Sequence, residues 1–225
     1  KNSNENTSLI NSKIAAILII PSTVFAVFIA LYPYSPDLNP NGHHIGSDIP
    51  FYAEGIQDMH KETFTETIWY AFSKFKDRPL SMLILYSTWK ASSLSPWTVA
   101  MFFPAALAPL TVLAACLSAY AGNSNATVTS LSAIFTATSF HITLGMLGGF
   151  ISNWTAMIFV YIFIGAYIKT IEKQKWSTAI LAAFIGALIL FIHAYTWWML
   201  IGVMLTYLLI VCIEKFILKK PTTLK

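Results

Sequence analysis

The stretch WTVAMFFPAALAPLTVLAACLSAYA, residues 97–121, has 25 positions and no charged side chain. About 20 apolar residues are enough for a helix to cross the hydrocarbon core of a bilayer, so this stretch reads as a spanning helix. Working outward, five more runs qualify: residues 14–32 before it, and 127–147, 152–170, 177–194 and 197–217 after it. The fold class is therefore all-α, a polytopic transmembrane helical bundle of about six spans. Composition agrees. Of 225 residues, 56% are hydrophobic and 11% charged, against about 25% charged in a soluble domain. So little charge cannot coat a globule, and the lipid bilayer is the solvent that the apolar surface requires. No repeat or linker divides the chain, so residues 1–225 read as a single membrane domain. The first residue is Lys1 rather than Met, which reads as a chain processed or cut from a longer one.

A seventh apolar run, residues 80–89, is too short to cross and ends at Lys90. It reads as an interfacial or re-entrant helix. Counting it as a span would reverse every later segment, so the distribution of basic residues decides. With six spans and the amino terminus in the cytoplasm, the inner side carries Lys1, Lys13, Lys169, Lys173, Lys175, Lys215, Lys219, Lys220 and Lys225. The outer side carries Lys61, Lys74, Lys76, Arg78 and Lys90, all in one long loop. The expected placement is an integral protein of the plasma membrane with the loop 33–96 outside. The same clustering of basic residues between apolar runs argues against nucleic acid as a partner. Cys116 and Cys212 lie in apolar runs with no metal or redox spacing.

Two spans carry packing signals. Thr129, Ser132, Thr136, Ser139 and Thr143 form a hydroxylated stripe suited to bonds between helices. Ala179, Ala183 and Ala187, beside Ala182 and Gly186, make small-xxx-small pairs that permit close helix approach.

The six-span topology sends three unusual segments to one face: the loop 33–96, the turn 145–154 and the turn 193–198. After Pro50 the loop reads as a helix to about Phe75, with Glu54, Asp58, Glu62 and Glu66 as an acidic stripe. Ile56, Met59, Ile68, Trp69, Phe72 and Phe75 give it an apolar side, as in a helix lying on a membrane surface. The acidic stripe fits a solvated face. Asp48 has two readings, a helix N-cap or a working carboxylate. His43 and His44 with Asp48 lack the spacing of a metal site; a divalent metal is possible chemistry without a motif to support it. His193 stands at a helix end and reads either as bonded to backbone or as part of a site. His141 reads as bonded across helices. Lys74, Lys76 and Arg78 can anchor to anionic headgroups, and Arg78 can also seat a phosphate through two bonds.

The order of these segments resembles the GT-C superfamily of polytopic membrane glycosyltransferases. Asp48-Ile49-Pro50-Phe51-Tyr52-Ala53-Glu54 resembles the Asp-centred stretch of their first outer loop. Asp77-Arg78-Pro79-Leu80, followed by Ser95-Pro96-Trp97-Thr98-Val99-Ala100, is similar to the next segment of the protein O-mannosyltransferase and aminoarabinose-transferase branches. Gly148-Gly149-Phe150-Ile151-Ser152-Asn153-Trp154-Thr155-Ala156 and His193-Ala194-Tyr195-Thr196-Trp197 look like archaeal or bacterial members. The resemblance covers residues 14–200. It implies a lipid-linked sugar donor, a polyprenyl phosphate or diphosphate, used on the outer face. It implies Asp48 as catalytic carboxylate, and Arg78, His193, Tyr52, Tyr195 and Trp197 as substrate contacts. The second carboxylate found beside the first in several branches is Ile49 here, and full-length members have more spans. The chain is then an N-terminal portion of an enzyme or a shortened relative without activity. The competing reading is a non-catalytic subunit that stabilises other membrane subunits or binds lipid. A transporter is disfavoured, because no span carries a charge near its middle.

Overall fold

The computed structural model describes residues 2–60 and 63–214, with side chains from residue 17 onward. Lys1, Lys13, Lys61, Glu62, Lys215, Lys219, Lys220 and Lys225 lie outside what is described at side-chain level. The described residues form an all-α bundle. Helix α1 is Asn2–Leu31, followed by a short 3-10 turn at Tyr32–Tyr34. Helices α2 (Ile49–His60), α3 (Phe64–Lys74) and α4 (Pro79–Ser92) are short. The remaining helices are α5 (Pro96–Asn123), α6 (Ala126–Ala137), α7 (Phe140–Gly148), α8 (Ile151–Lys173), α9 (Trp176–Ile192) and α10 (Ala194–Cys212).

Among the described residues five stretches are long and apolar enough to cross a membrane: Ile17–Tyr34, Pro96–Asn123, Ala126–Gly148, Ile151–Lys173 and Ala194–Cys212. The protein is an integral membrane protein. The sequence predicts a full span over 177–194, but helix α9 has 17 residues and ends at Ile192. At 1.5 Å per residue it is about 25 Å long, at the lower limit for a bilayer core of about 30 Å. Helix α4, 14 residues and about 21 Å, is too short to cross, as its sequence indicates.

Helix α5 packs against α6 and α8, and α8 packs against α9. Helices α5 and α8 run parallel, with Thr111 beside Trp154 and Ser118 beside Gly165. Trp154 of α8 is 1% exposed and its indole N–H donates to Thr111 Oγ1 at 2.6 Å, joining the first turn of α8 to the middle of α5. Ala182 and Gly186 face α8, where Gly186 lies close to Phe163, whereas Ala183 and Ala187 are exposed. The small-residue stripe thus splits between a helix contact and the outer surface.

The hydroxyl stripe of 127–147 does not bridge helices as expected. Thr129 and Thr143 hydroxyls donate to carbonyls four residues back, at 2.9 and 3.0 Å. The span also breaks between α6 and α7, where Ser139 turns extended and its N–H bonds Thr136 O. Ser and Thr offer the backbone local alternatives to a helix, which explains a break inside a hydroxyl-rich run.

The expected single helix over 50–75 is two helices. Glu66 accepts from the backbone N–H of Thr63 at 3.0 Å and from its hydroxyl, so Glu66 opens α3 rather than extending an acidic face. Ile56, Met59 and Phe75, expected on the membrane side, are buried against α4 and α5 at 0, 0 and 5% exposure. Helix α3 does show an apolar outer side, with Phe64, Ile68, Trp69 and Phe72 exposed.

The turn before α2 is tied to the turn between α7 and α8. The Gly148 carbonyl accepts the Asp48 N–H at 3.3 Å and the Ser47 hydroxyl at 2.9 Å. Gly46 has φ +117, and a Cβ there would stand 2.9 Å from Gly149 Cα. Backbone cannot yield as a flexible side chain does. Gly46→Ala should cost about 1–3 kcal/mol from the backbone conformation alone and should part the two turns. Thermal unfolding in detergent should show the loss, and an unchanged midpoint would contradict this packing.

Candidate functional site

The three segments that the sequence sends to one face converge at one end of the bundle. A cavity of about 400 Å³ opens there, lined by Asp48, Tyr52, Arg78, Phe140, Phe150, Asn153 and His193. Asp48 precedes α2, Arg78 precedes α4, Phe140 opens α7, Asn153 lies in the first turn of α8, and His193 separates α9 from α10. Helix ends supply every lining residue except Tyr52, which lies within α2. The backbone adds one more tie: the Ala194 N–H donates to Asp77 O at 2.8 Å, joining the start of α10 to the segment before α4.

Asp48 is half-buried. Among the described residues its carboxylate takes no backbone N–H, and its one hydrogen bond is a long one from the Ser47 hydroxyl at 3.4 Å. The N-cap reading therefore lacks its defining bond, and the carboxylate faces the cavity with acceptor capacity to spare.

Arg78 is held from two sides. Its Nε and Nη2 donate to the same Asp77 oxygen at 2.9 and 2.6 Å, and Nη1 donates to the Tyr52 hydroxyl at 3.3 Å. The guanidinium carbon also lies 5.3 Å from the centre of the Phe51 ring. Burial opposes the charge, but Asp77 and Tyr52 outweigh it and raise the guanidinium above its ordinary pKa. Burial likewise pushes the Asp77 carboxyl up, and the bonds and charge of Arg78 overcome this and hold it below its ordinary value. Three of five N–H donors are engaged, so a two-bond phosphate contact is confined to the hydrogens left on Nη1 and Nη2.

Tyr52 is fully buried. Its hydroxyl donates to Ser152 Oγ at 2.9 Å and accepts from Ser152 N–H at 3.1 Å and from Arg78. A hydroxyl has one donor and two acceptor positions, and all are spent. Tyr52 is thus a cap for the start of α8 and a brace for Arg78, with no hydrogen-bonding capacity left for a ligand.

His193 stands at the junction of α9 and α10. It caps α10, its Nδ1 accepting the Thr196 N–H at 3.3 Å, and it lines the cavity. Thr196 Oγ1 lies 2.7 Å from the same nitrogen and takes the Asn153 amide N–H at 2.9 Å. Burial, then the Arg78 charge, hold the imidazole below the ordinary histidine range, with Asp77 opposing in part. The net effect favours the neutral imidazole.

Two expected contacts fall elsewhere. Helix α10 begins at Ala194, so Tyr195 and Trp197 belong to its first turn and not to a loop. Neither lines the cavity: Tyr195 is 66% exposed with its ring 5.8 Å from that of His193, and Trp197 packs against the α8–α10 core. His43 is fixed through Asn39, and the His44 ring lies 5.2 Å from Trp97. Among the described residues no three His, Cys, Asp or Glu side chains are grouped to hold a metal. The sequence motifs include Phe150, Asn153 and Asp77 but give none of them, nor Phe140, a place in the site. The adjacency Asp77-Arg78 is the available signal for Asp77 as counter-ion.

Comparisons with protein-family profiles, with curated proteins and with solved structures gave no match.

Proposed function

We propose that this cavity transfers a sugar from a polyprenyl-phosphate-linked donor to an acceptor, on the outer face of the plasma membrane. The observation that carries the reading is one cavity lined by Asp48, Arg78 and His193, which three distant stretches of chain deliver. Its rim adds Phe140 and Phe150, 63 and 44% exposed, apolar surface beside a polar wall. A lipid-anchored donor presents its sugar at headgroup level, where a bundle end can meet it.

In this reading the acceptor hydroxyl gives its proton to the Asp48 carboxylate as its oxygen bonds the anomeric carbon. The bond from that carbon to the phosphate oxygen breaks, and polyprenyl phosphate leaves with the electron pair. The free Nη hydrogens of Arg78 steady the phosphate. Holding both partners together and removing one proton supply much of the rate. Transfer of radiolabelled sugar from a polyprenyl-phosphate donor, assayed with the protein in vesicles, tests this. Donor binding without any transfer would favour the second reading, a non-catalytic membrane subunit. That reading draws on α10, which buries only Thr196 and Leu200 and leaves its flank open to other helices.

The orientation rests on the basic residues. Ser47 at the cavity end and Lys173 at the opposite end are both exposed. In a background with Cys116 and Cys212 replaced, Ser47→Cys should react with an impermeant thiol reagent in intact cells, and Lys173→Cys should not. The reverse pattern would place the cavity in the cytoplasm, away from an outer-face donor.

A further inference from the structure

We propose that Thr196 and Asn153 are positioning residues that fix His193 as the neutral imidazole with its proton on Nε2, so that the ring offers the cavity a donor and no lone pair. The inference rests on the cavity being the working site, as proposed above, and not on the ligand being a sugar lipid.

The backbone decides the tautomer. The Thr196 N–H has a fixed direction and points at Nδ1 from 3.3 Å. A proton on Nδ1 would face it head-on, so Nδ1 carries the lone pair. The Thr196 hydroxyl, 2.7 Å from that nitrogen, can rotate, and it turns its proton to the same lone pair. Its oxygen is then an acceptor, which is what the Asn153 amide N–H requires at 2.9 Å. Each bond from α8 through α10 points toward the ring. The imidazole has its other proton on Nε2. That nitrogen has no bond in the structure, yet among the described residues no buried side-chain nitrogen or oxygen lacks a partner. Nε2 therefore opens onto the cavity that His193 lines.

This tautomer constrains the chemistry in two ways. A base must show a lone pair to its substrate, and His193 shows a proton, so the proton-accepting role on this wall falls to Asp48. The ligand must bring an acceptor oxygen to His193 and a hydroxyl to Asp48. Acid reverses the arrangement, because a second proton can enter only at Nδ1, where it displaces the Thr196 hydroxyl and opposes the Thr196 N–H. The charged and titratable groups around the ring are Asp77 and Arg78 before α4, Asp48 and Tyr52 on the cavity wall, His141 beside Asn153, and Tyr195 of α10, whose ring lies 5.8 Å away.

The test is NMR of isotope-labelled histidine in the intact protein in nanodiscs, with His193 assigned by loss of its signals in His193→Gln. The two ring nitrogens report separately whether each is protonated. The wild type and Thr196→Ser should show protonated Nε2 and bare Nδ1, and should stay neutral at about pH 6.5, where free histidine is half charged. Thr196→Val keeps the backbone N–H and should keep a bare Nδ1, but without the hydroxyl bond its midpoint should move up. Mixed or Nδ1-protonated His193 in the wild type overturns the proposal, as does a Thr196→Val variant with the wild-type midpoint. If Thr196→Val does not fold, the wild type and Thr196→Ser decide alone. No sugar donor enters this experiment. A correct tautomer in a protein without transfer would remove the transferase reading and leave this inference standing.

Discussion

Asp48→Asn is expected to lower sugar transfer by about 10²–10⁴-fold, the scale of a lost general base, with the fold intact. Asparagine has the same shape and keeps an acceptor oxygen for Ser47, but its amide cannot take the acceptor's proton. Asp48→Ala should be equally inactive and nearly as stable as the wild type, because no helix N–H rests on the carboxylate among the described residues. If Asp48 were instead a cap, Ala would cost about 1 kcal/mol and Asn would be silent in both assays. Transfer rates and unfolding midpoints of the two variants separate these readings. Wild-type transfer by the Asn variant would remove Asp48 from the mechanism.

Arg78→Gln is expected to weaken donor binding by about 10–100-fold, since a hydrogen bond to a charged group contributes about 1.5–3 kcal/mol. It also strands Asp77. Removing one partner of a fully buried pair costs about 3–5 kcal/mol, but the Asp77 side chain is 35% exposed and water will relieve much of that. Lysine should not rescue binding. A single ammonium has no planar fork to hold Asp77 and Tyr52 and still offer two hydrogens outward. Binding of labelled donor in nanodiscs measures the effect. Unchanged affinity in Arg78→Gln would move the phosphate seat elsewhere.

The bundle is legible in the sequence because hydrocarbon sets a simple length rule, and residues 97–121 and 152–170 obey it. Boundaries are less legible. The Thr63/Glu66 capping pair is present as a signal, yet the apolar periodicity running on to Phe75 conceals the break between α2 and α3. The break at Ser139 depends on a competition between local hydrogen bonds that composition does not report. In the site, Asp48, Arg78 and His193 stand out as polar residues beside apolar runs. Phe140 and Phe150 do not, since an aromatic in an apolar run looks the same whether it faces lipid or a cavity. Tyr52 reads as a substrate contact because nothing local shows that its hydroxyl is saturated; one of its partners, Ser152, is 100 residues away in sequence. The one-residue gap between α9 and α10 also draws Tyr195 and Trp197 out of the expected loop and into a helix.

Occupation of the cavity by a lipid-linked sugar is tested most directly by a photo-crosslinking side chain. Phe150 lines the cavity and is 44% exposed, whereas Phe135 of α6 is 69% exposed and lies outside that lining. The crosslinker is placed at one or the other position, and the protein in nanodiscs is irradiated with radiolabelled polyprenyl-phosphate sugar. A donor seated in the cavity should label position 150, with little at 135, and excess unlabelled donor should abolish that labelling. Equal labelling at both positions, or none at 150, would contradict a cavity built for the donor.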